Sequence, residues 1–176
     1  MTTGKAQYFR KGIVLFSALI GPALISVLLD PELQACSVFC IDKGSHLLVG
    51  RNQDWDFGEG LIMINKRNQS KYAFTYYGES RENLASWTSR YGSITLNQYG
   101  RDDALSGMNE AGLVVSALWL DESQYPAVDQ RPSVSIDQYL QYLLDNFQSI
   151  EEILASKDTV RVRPNSSNYQ DTPFCH

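Results

Sequence analysis

Cys36 follows Leu33-Gln34-Ala35, and Ala35 is a small residue of the kind found just before a signal cleavage site. Cleavage after Ala35 makes Cys36 the mature N-terminus. An N-terminal cysteine carries a nucleophile and a base in one residue. A free α-amino group titrates at about 7.7–8.0 and a thiol at about 8.5. The amine can therefore take a thiol proton, directly or through one water, and later give it to a leaving amine. An internal cysteine lacks that base. Two plainer roles stay open for Cys36, as a small buried hydrophobe or as a lipid attachment point.

Arg51 and Asp54 are the next candidates, in Gly50-Arg51-Asn52-Gln53-Asp54-Trp55. A guanidinium beside a cysteine favours the thiolate, and a carboxylate can hold and orient an α-ammonium. The plain alternative is a surface Arg–Asp pair worth about 0–1 kcal/mol. Leu33-Gln34-Ala35-Cys36 also resembles a lipoprotein box, although Gln34 fits that box poorly. A lipid on Cys36 would block the amine, so the two readings exclude each other.

The elements that must position these residues can be read outward from Cys36. Ser37–Ile41 is β-prone, Asp42-Lys43-Gly44-Ser45 is turn chemistry, and His46–Arg51 is a second apolar run. This is a hairpin that returns Arg51 to the sheet end carrying Cys36. Leu61–Asn65 and Tyr72–Tyr77 read as strands, and Trp87–Leu96 as one bent or two short strands. Leu113–Leu120 is almost continuously apolar, the pattern of a strand covered on both faces.

The period then changes. Ile136, Tyr139, Leu140, Leu143, Leu144 and Phe147 form the stripe of an amphipathic helix. Ser135 with Gln138 predicts a capping box at its start. Ser149 with Glu152 repeats the signature before a short helix at about 150–156, and Thr159–Arg163 reads as a last strand. Many strands followed by helices, without βαβ alternation, predict an α+β fold with a largely antiparallel sheet. Cys40 is expected to be buried on the first strand, and Asn109 and Gly112 are expected to shape a turn.

Upstream, Lys5, Arg10 and Lys11 precede an apolar stretch, Gly12–Leu29, interrupted by Gly21-Pro22 and ended by Asp30-Pro31-Glu32. This is a basic n-region and an apolar h-region, so residues 1–35 read as a secretory signal and the protein as exported, to the periplasm. The stretch also reaches the lower limit for a retained membrane anchor. Removing 1–35 leaves 141 residues with a net charge of −6. Residues 36–163 form the folded part, and 164–176 are expected to be an irregular, disordered tail.

At 176 residues the chain is one domain by length. Its 43% hydrophobic and 20% charged residues exclude a disordered or collagen-like chain. Scattered basic residues and a net charge of −5 give no footprint for nucleic acid. With two histidines, three cysteines and no CxxC or HxxxH pair, neither a metal site nor a disulfide scaffold is expected. No cofactor is called for. The membrane is met only through the signal or a lipid, and a homo-oligomer stays open.

Cys36-Ser37 through Gly50–Trp55 resembles the start of the choloylglycine hydrolase and penicillin V acylase family, N-terminal nucleophile (Ntn) cysteine hydrolases of linear amides. Gly107-Met108-Asn109-Glu110-Ala111-Gly112-Leu113 with Ala117-Leu118-Trp119 is a second match. Tyr139–Phe147 with Ser149–Leu154 is a looser third, and together they span about Cys36–Arg163. The resemblance implies an αββα sandwich with Cys36 as nucleophile, its amine as base, and Arg51 and Asp54 beside it. Trp119 falls where bile-salt hydrolases have Asn and penicillin V acylases often have an aromatic residue, at a strand position contributing to the oxyanion hole. That leans the substrate toward penicillin V or N-acyl-homoserine-lactone amides and away from conjugated bile salts.

Family members are much longer and also use an Asn and an Arg from their second half; Arg163 and Asn165 come too early to be these. The expectation is a truncated, N-terminal portion of the sandwich. Such a chain lacks part of the site, which leaves its own activity open, and would have apolar strands such as Leu113–Leu120 uncovered on one face.

Overall fold

The computed structural model describes residues 36–55, 58–75, 83–98, 103–120, 123–164 and 174–175. The signal segment and most of the tail lie outside these, as do Tyr76 and Tyr77 of one expected strand.

β1 (Ser37–Lys43) and β2 (His46–Asn52) form the expected antiparallel hairpin, with Lys43 opposite His46. Its two-residue loop opens on Gly44 at φ +66, a left-handed conformation that glycine adopts without steric cost. Every residue of β1 is exposed. Cys40 is therefore exposed and free, not buried. Among the described strands the hairpin pairs only with itself.

The main sheet contains β3 (Gly60–Asn65), β6 (Ser93–Gln98), β7 (Ala104–Asn109) and β8 (Val114–Ser116), all antiparallel in the order β3-β6-β7-β8. Two short pairs accompany it. β4 (Ser70–Tyr72) lies against β5 (Ser86–Thr88), and β10 (Ser133–Ser135) lies parallel to β11 (Arg161–Arg163). β9 (Leu118–Trp119) pairs with β12 (Phe174–Cys175). Trp87–Leu96 thus resolves into two strands, and the strand expected at 72–77 begins and ends earlier, at 70–72. Leu113–Leu120 is broken at Ala117, and Leu113, Val115 and Ala117 are buried while Val114, Ser116 and Leu118 are half-buried. That segment alternates; it is not covered on both faces.

β7 was not among the expected strands; Gly107 lies inside it, and Asn109 at its end enters the turn expected of it. Packing explains the glycine. A Cβ at Gly107 would meet Leu144 Cδ1 at 2.7 Å and the Ile94 carbonyl oxygen at 2.8 Å. Strand interiors accept glycine where another element approaches closely.

That element is α1 (Ile136–Asn146), the expected amphipathic helix, which buries Ile136, Leu140, Leu143 and Leu144. Leu140, Leu144 and Val134 are fully enclosed, and Trp87 meets Tyr142 edge-on at 5.3 Å. Ser135 precedes the helix but does not cap it: its hydroxyl has no partner. Gln138 is used elsewhere, accepting from the Phe74 N–H at 2.7 Å and donating to the Tyr72 carbonyl at 3.3 Å. A tertiary partner has displaced the local box. In α2 (Ile150–Ala155) the box forms, with Ser149 Oγ accepting from the Glu152 N–H at 3.3 Å.

Asp145 and Asn109 lock the helix to the sheet layer. Asp145 is fully buried and accepts from Trp87 Nε1 at 2.7 Å, Lys71 Nζ at 2.9 Å and Gln141 Nε2 at 2.9 Å. Asn109 donates from Nδ2 to the carbonyls of Leu144 and Phe147, at 3.0 and 2.7 Å. Its Oδ1 accepts from the N–H groups of Ala111 and Leu113, closing the turn that Gly112 completes at φ +90. Helix C-terminal carbonyls need such partners. Asn109→Asp replaces both donors with acceptors facing carbonyls, so it is expected to cost about 2–4 kcal/mol, more than a lost neutral hydrogen bond. A urea titration checks this, and Asn109→Asp is expected to rank no better than Asn109→Ala.

The opposite face of the sheet is open. Ile62, Leu96, Ser106 and Ser116 form one cross-strand row; Ile64, Ile94, Met108 and Val114 form the next. Ile62 and Ile64 are 72% and 79% exposed, and Ile94, Leu96 and Met108 are about half exposed. The most exposed apolar side chains on this face belong to β3, β6 and β7, while Val114 of β8 shares the face and is half-buried.

Candidate functional site

The register of the hairpin builds the site. Ser37 lies opposite Asn52 and Val38 opposite Arg51, so one step further Cys36 stands across from Gln53. Successive residues of a strand alternate faces, which puts Arg51 and Gln53 on the same side. The half-buried Cys36 thiol lies 3.7 Å from Gln53 Oε1 and 3.9 Å from the main-chain carbonyl oxygen of Asp54, and can donate to either.

Arg51 reaches from the hairpin to the main sheet. Its Nη1 donates to the Leu105 carbonyl and its Nη2 to Gln53 Oε1, while its Nε is buried without a partner. Burial lowers the Arg51 pKa, and the hydrogen bond and charge of Cys36 act in the opposite direction. An arginine keeps its proton under such a shift. Both named partners are neutral carbonyl oxygens, so they fix the guanidinium without neutralising it.

The Leu105 carbonyl also accepts from the Ala117 N–H at 2.9 Å. Two residues further on, Trp119 pairs with Phe174 in β9. Trp119 is thus connected to the cluster along the main chain, through Ala117, Leu105 and Arg51. Arg51 and Gln53 also line a cavity of about 340 Å³, whose apolar wall includes Leu61, Ile62, Leu96 and Leu105. The fixed positive charge of Arg51 lines this apolar recess and Gln53 links the recess to the Cys36 thiol, an arrangement that suits acyl transfer from an amide with a nonpolar acyl group.

The structure places Cys36 near Gln53, a partner of Arg51, and near the main-chain carbonyl of Asp54; the expected role of the Asp54 carboxylate rests on the α-amine and is not part of this geometry. Gln53 and the Leu105 carbonyl were not anticipated. The signal for Gln53 was present, since it shares the strand face of Arg51 two residues away. Leu105 lies 54 positions from Arg51 in sequence, and nothing local marks it.

Residues 36–170 match the family model described as linear amide C–N hydrolases, choloylglycine hydrolase family. A penicillin V acylase of Pectobacterium atrosepticum is 38% identical over 117 residues, covering 62% of this chain and 30% of that protein. The solved penicillin V acylase from Agrobacterium tumefaciens is 35% identical with a TM-score of 0.59, over 73% of this chain and 40% of its own. A conjugated bile acid hydrolase variant from Clostridium perfringens shares the fold at 21% identity and a TM-score of 0.59, over 80% of this chain and 43% of its own. The chain therefore spans about a third to two fifths of the relatives it matches. These neighbours agree with the strand-rich α+β architecture and identify it as Ntn-hydrolase-type.

Proposed function

The chain belongs to the choloylglycine hydrolase family of linear amide C–N hydrolases, and we propose that it acts as an exported amidohydrolase whose nucleophile is a mature N-terminal Cys36. The observation that carries this is the Cys36 thiol set beside Gln53 by the hairpin, with Gln53 and Arg51 both lining the apolar cavity at the main sheet. The family match begins at Cys36, which supports cleavage after Ala35.

In this reading the α-amine of Cys36 takes the thiol proton and the thiolate attacks the amide carbon. Arg51 stabilises the thiolate, and Asp54 orients the α-ammonium. The tetrahedral oxyanion is held by main-chain N–H donors, among them that of the Trp119 strand. Such a donor is typically worth about 2.7–4 kcal/mol. The C–N bond breaks as the ammonium returns its proton to the leaving amine, and water then attacks the thioester to release the acid and restore the thiol.

A penicillin V-type amide is favoured over a conjugated bile acid. The named penicillin V acylases are 38% and 35% identical to this chain, against 21% for the bile acid hydrolase. Trp119 also lacks the side-chain amide that bile-salt hydrolases are expected to use.

The test is the intact mass of the full chain after export, together with penicillin V turnover. The expected product is Cys36–His176 in the periplasm with a free amine, releasing the amine half of penicillin V. A chain that keeps Ala35 is expected to lose a factor of about 10²–10⁴, the usual worth of general acid–base catalysis. A recovered mass carrying a diacylglycerol and a fatty acyl group, or a correctly processed chain without turnover, would overturn the proposal.

A further inference from the structure

Gln53 is the residue that meets both halves of the nucleophilic pair. Its Oε1 lies 3.7 Å from Cys36 Sγ and also accepts from Arg51 Nη2. The orientation of its amide is set by chemistry: arginine has only donors, so the carbonyl end must face it. The sulfur therefore faces an acceptor from Gln53, and Gln53 shares the Arg51 guanidinium with the sulfur. Arg51 Nη1 is held by the Leu105 carbonyl, which keeps the guanidinium from swinging freely.

We propose that Gln53 is a positioning residue that governs how much of the Arg51 charge reaches the Cys36 sulfur, by occupying the Nη2 donor with a neutral oxygen. The inference builds on Cys36 as nucleophile, but its physical content concerns only the thiol, the amide and the guanidinium. A neutral acceptor leaves the positive charge intact while competing with the sulfur for the guanidinium N–H groups. Removing the acceptor frees Nη2, and the sulfur is then the acceptor left beside it. Replacing the amide by a carboxylate does the reverse: it cancels the guanidinium charge and places a negative charge beside the sulfur.

The two substitutions are therefore expected to act in opposite directions, which a merely structural role would not produce. The experiment is the alkylation of Cys36 by iodoacetamide across pH in the folded full chain, read by peptide mass spectrometry. Cys40, exposed and free on the adjoining strand, is the internal reference. Gln53→Ala is expected to speed Cys36 several-fold relative to Cys40 and to extend its reactivity to lower pH. Gln53→Glu is expected to slow it about tenfold, on the scale of one added charge at a few ångströms. If Gln53→Ala loosens the hairpin and speeds both thiols alike, Gln53→Met decides the question, since it keeps the side-chain volume and removes only the acceptor.

Equal shifts of one sign in the Glu and Met variants, or no change in the Cys36-to-Cys40 ratio, would overturn the proposal. The readout does not need amidase activity. Opposite shifts in a chain without penicillin V turnover would uphold the role of Gln53 while removing the amidase. Turnover with unresponsive alkylation would do the reverse.

Discussion

Cys36→Ala is expected to abolish penicillin V turnover in the processed chain, by a factor on the order of 10⁴ or more, the scale seen when a covalent nucleophile is lost. Cys36→Ser keeps a hydroxyl at the same place, but its proton is far harder to remove by an amine, so its rate is expected to stay near that of the alanine variant. Neither change should disturb folding. Cys36 is half-buried and its contacts are two long thiol hydrogen bonds at 3.7 and 3.9 Å. The urea midpoints of both variants should stay within about 0.5 kcal/mol of the parent. Turnover measured beside the midpoint separates loss of chemistry from loss of fold, and undiminished hydrolysis by the alanine variant would sink the nucleophile assignment.

The largest loss of stability is expected from Asp145→Ala. The carboxylate is fully buried and receives Lys71 Nζ, Trp87 Nε1 and Gln141 Nε2. Removing it strands an indole N–H and an ammonium group that is only one-quarter exposed. Breaking a buried ion pair from one side typically costs about 3–5 kcal/mol. Asp145→Asn keeps one acceptor and should cost less. Lys71→Met leaves the carboxylate with its two neutral donors, and its stem can still pack where the lysine stem lay. Urea unfolding of the three variants should therefore rank Asp145→Ala as the most destabilised, and a ranking with Lys71→Met lowest would show that the lysine, not the carboxylate, anchors the helix.

The site and the stability centre differ in how far the sequence revealed them. The nearness of Cys36 to the Arg51 end of the hairpin was legible because the turn and the alternation that set it are local. Register then follows from the two-residue loop at Gly44-Ser45, which fixes every cross-strand pair back to Cys36. The Asp145 hub carried no such mark. Its partners Lys71 and Trp87 lie 74 and 58 positions away.

The same division accounts for the errors. The amphipathic stripe from Ile136 to Phe147 placed α1, since a 3.6-residue period reports a helix's own backbone. Ser135 and Gln138 have the letters of a capping box, yet Gln138 is drawn to the main chain at Tyr72 and Phe74. Gly107 carries no local mark of a strand, and only the close approach of Leu144 explains it. Cys40 reads as buried until β1 proves to be exposed along its whole length.

By itself, then, the sequence determined the elements whose signals repeat within a few residues: the hairpin, the helix stripe, the second cap at Ser149, and the chemical types gathered around Cys36. Only the tertiary structure decided which strand takes the helix, which sheet face stays open at Ile62, Ile64 and Ile94, and that Arg51 is held by Leu105 and Gln53. The physical reason is that periodicity and turn chemistry are properties of one stretch of backbone, whereas burial and hydrogen-bond choice are competitions among groups that only folding brings within reach.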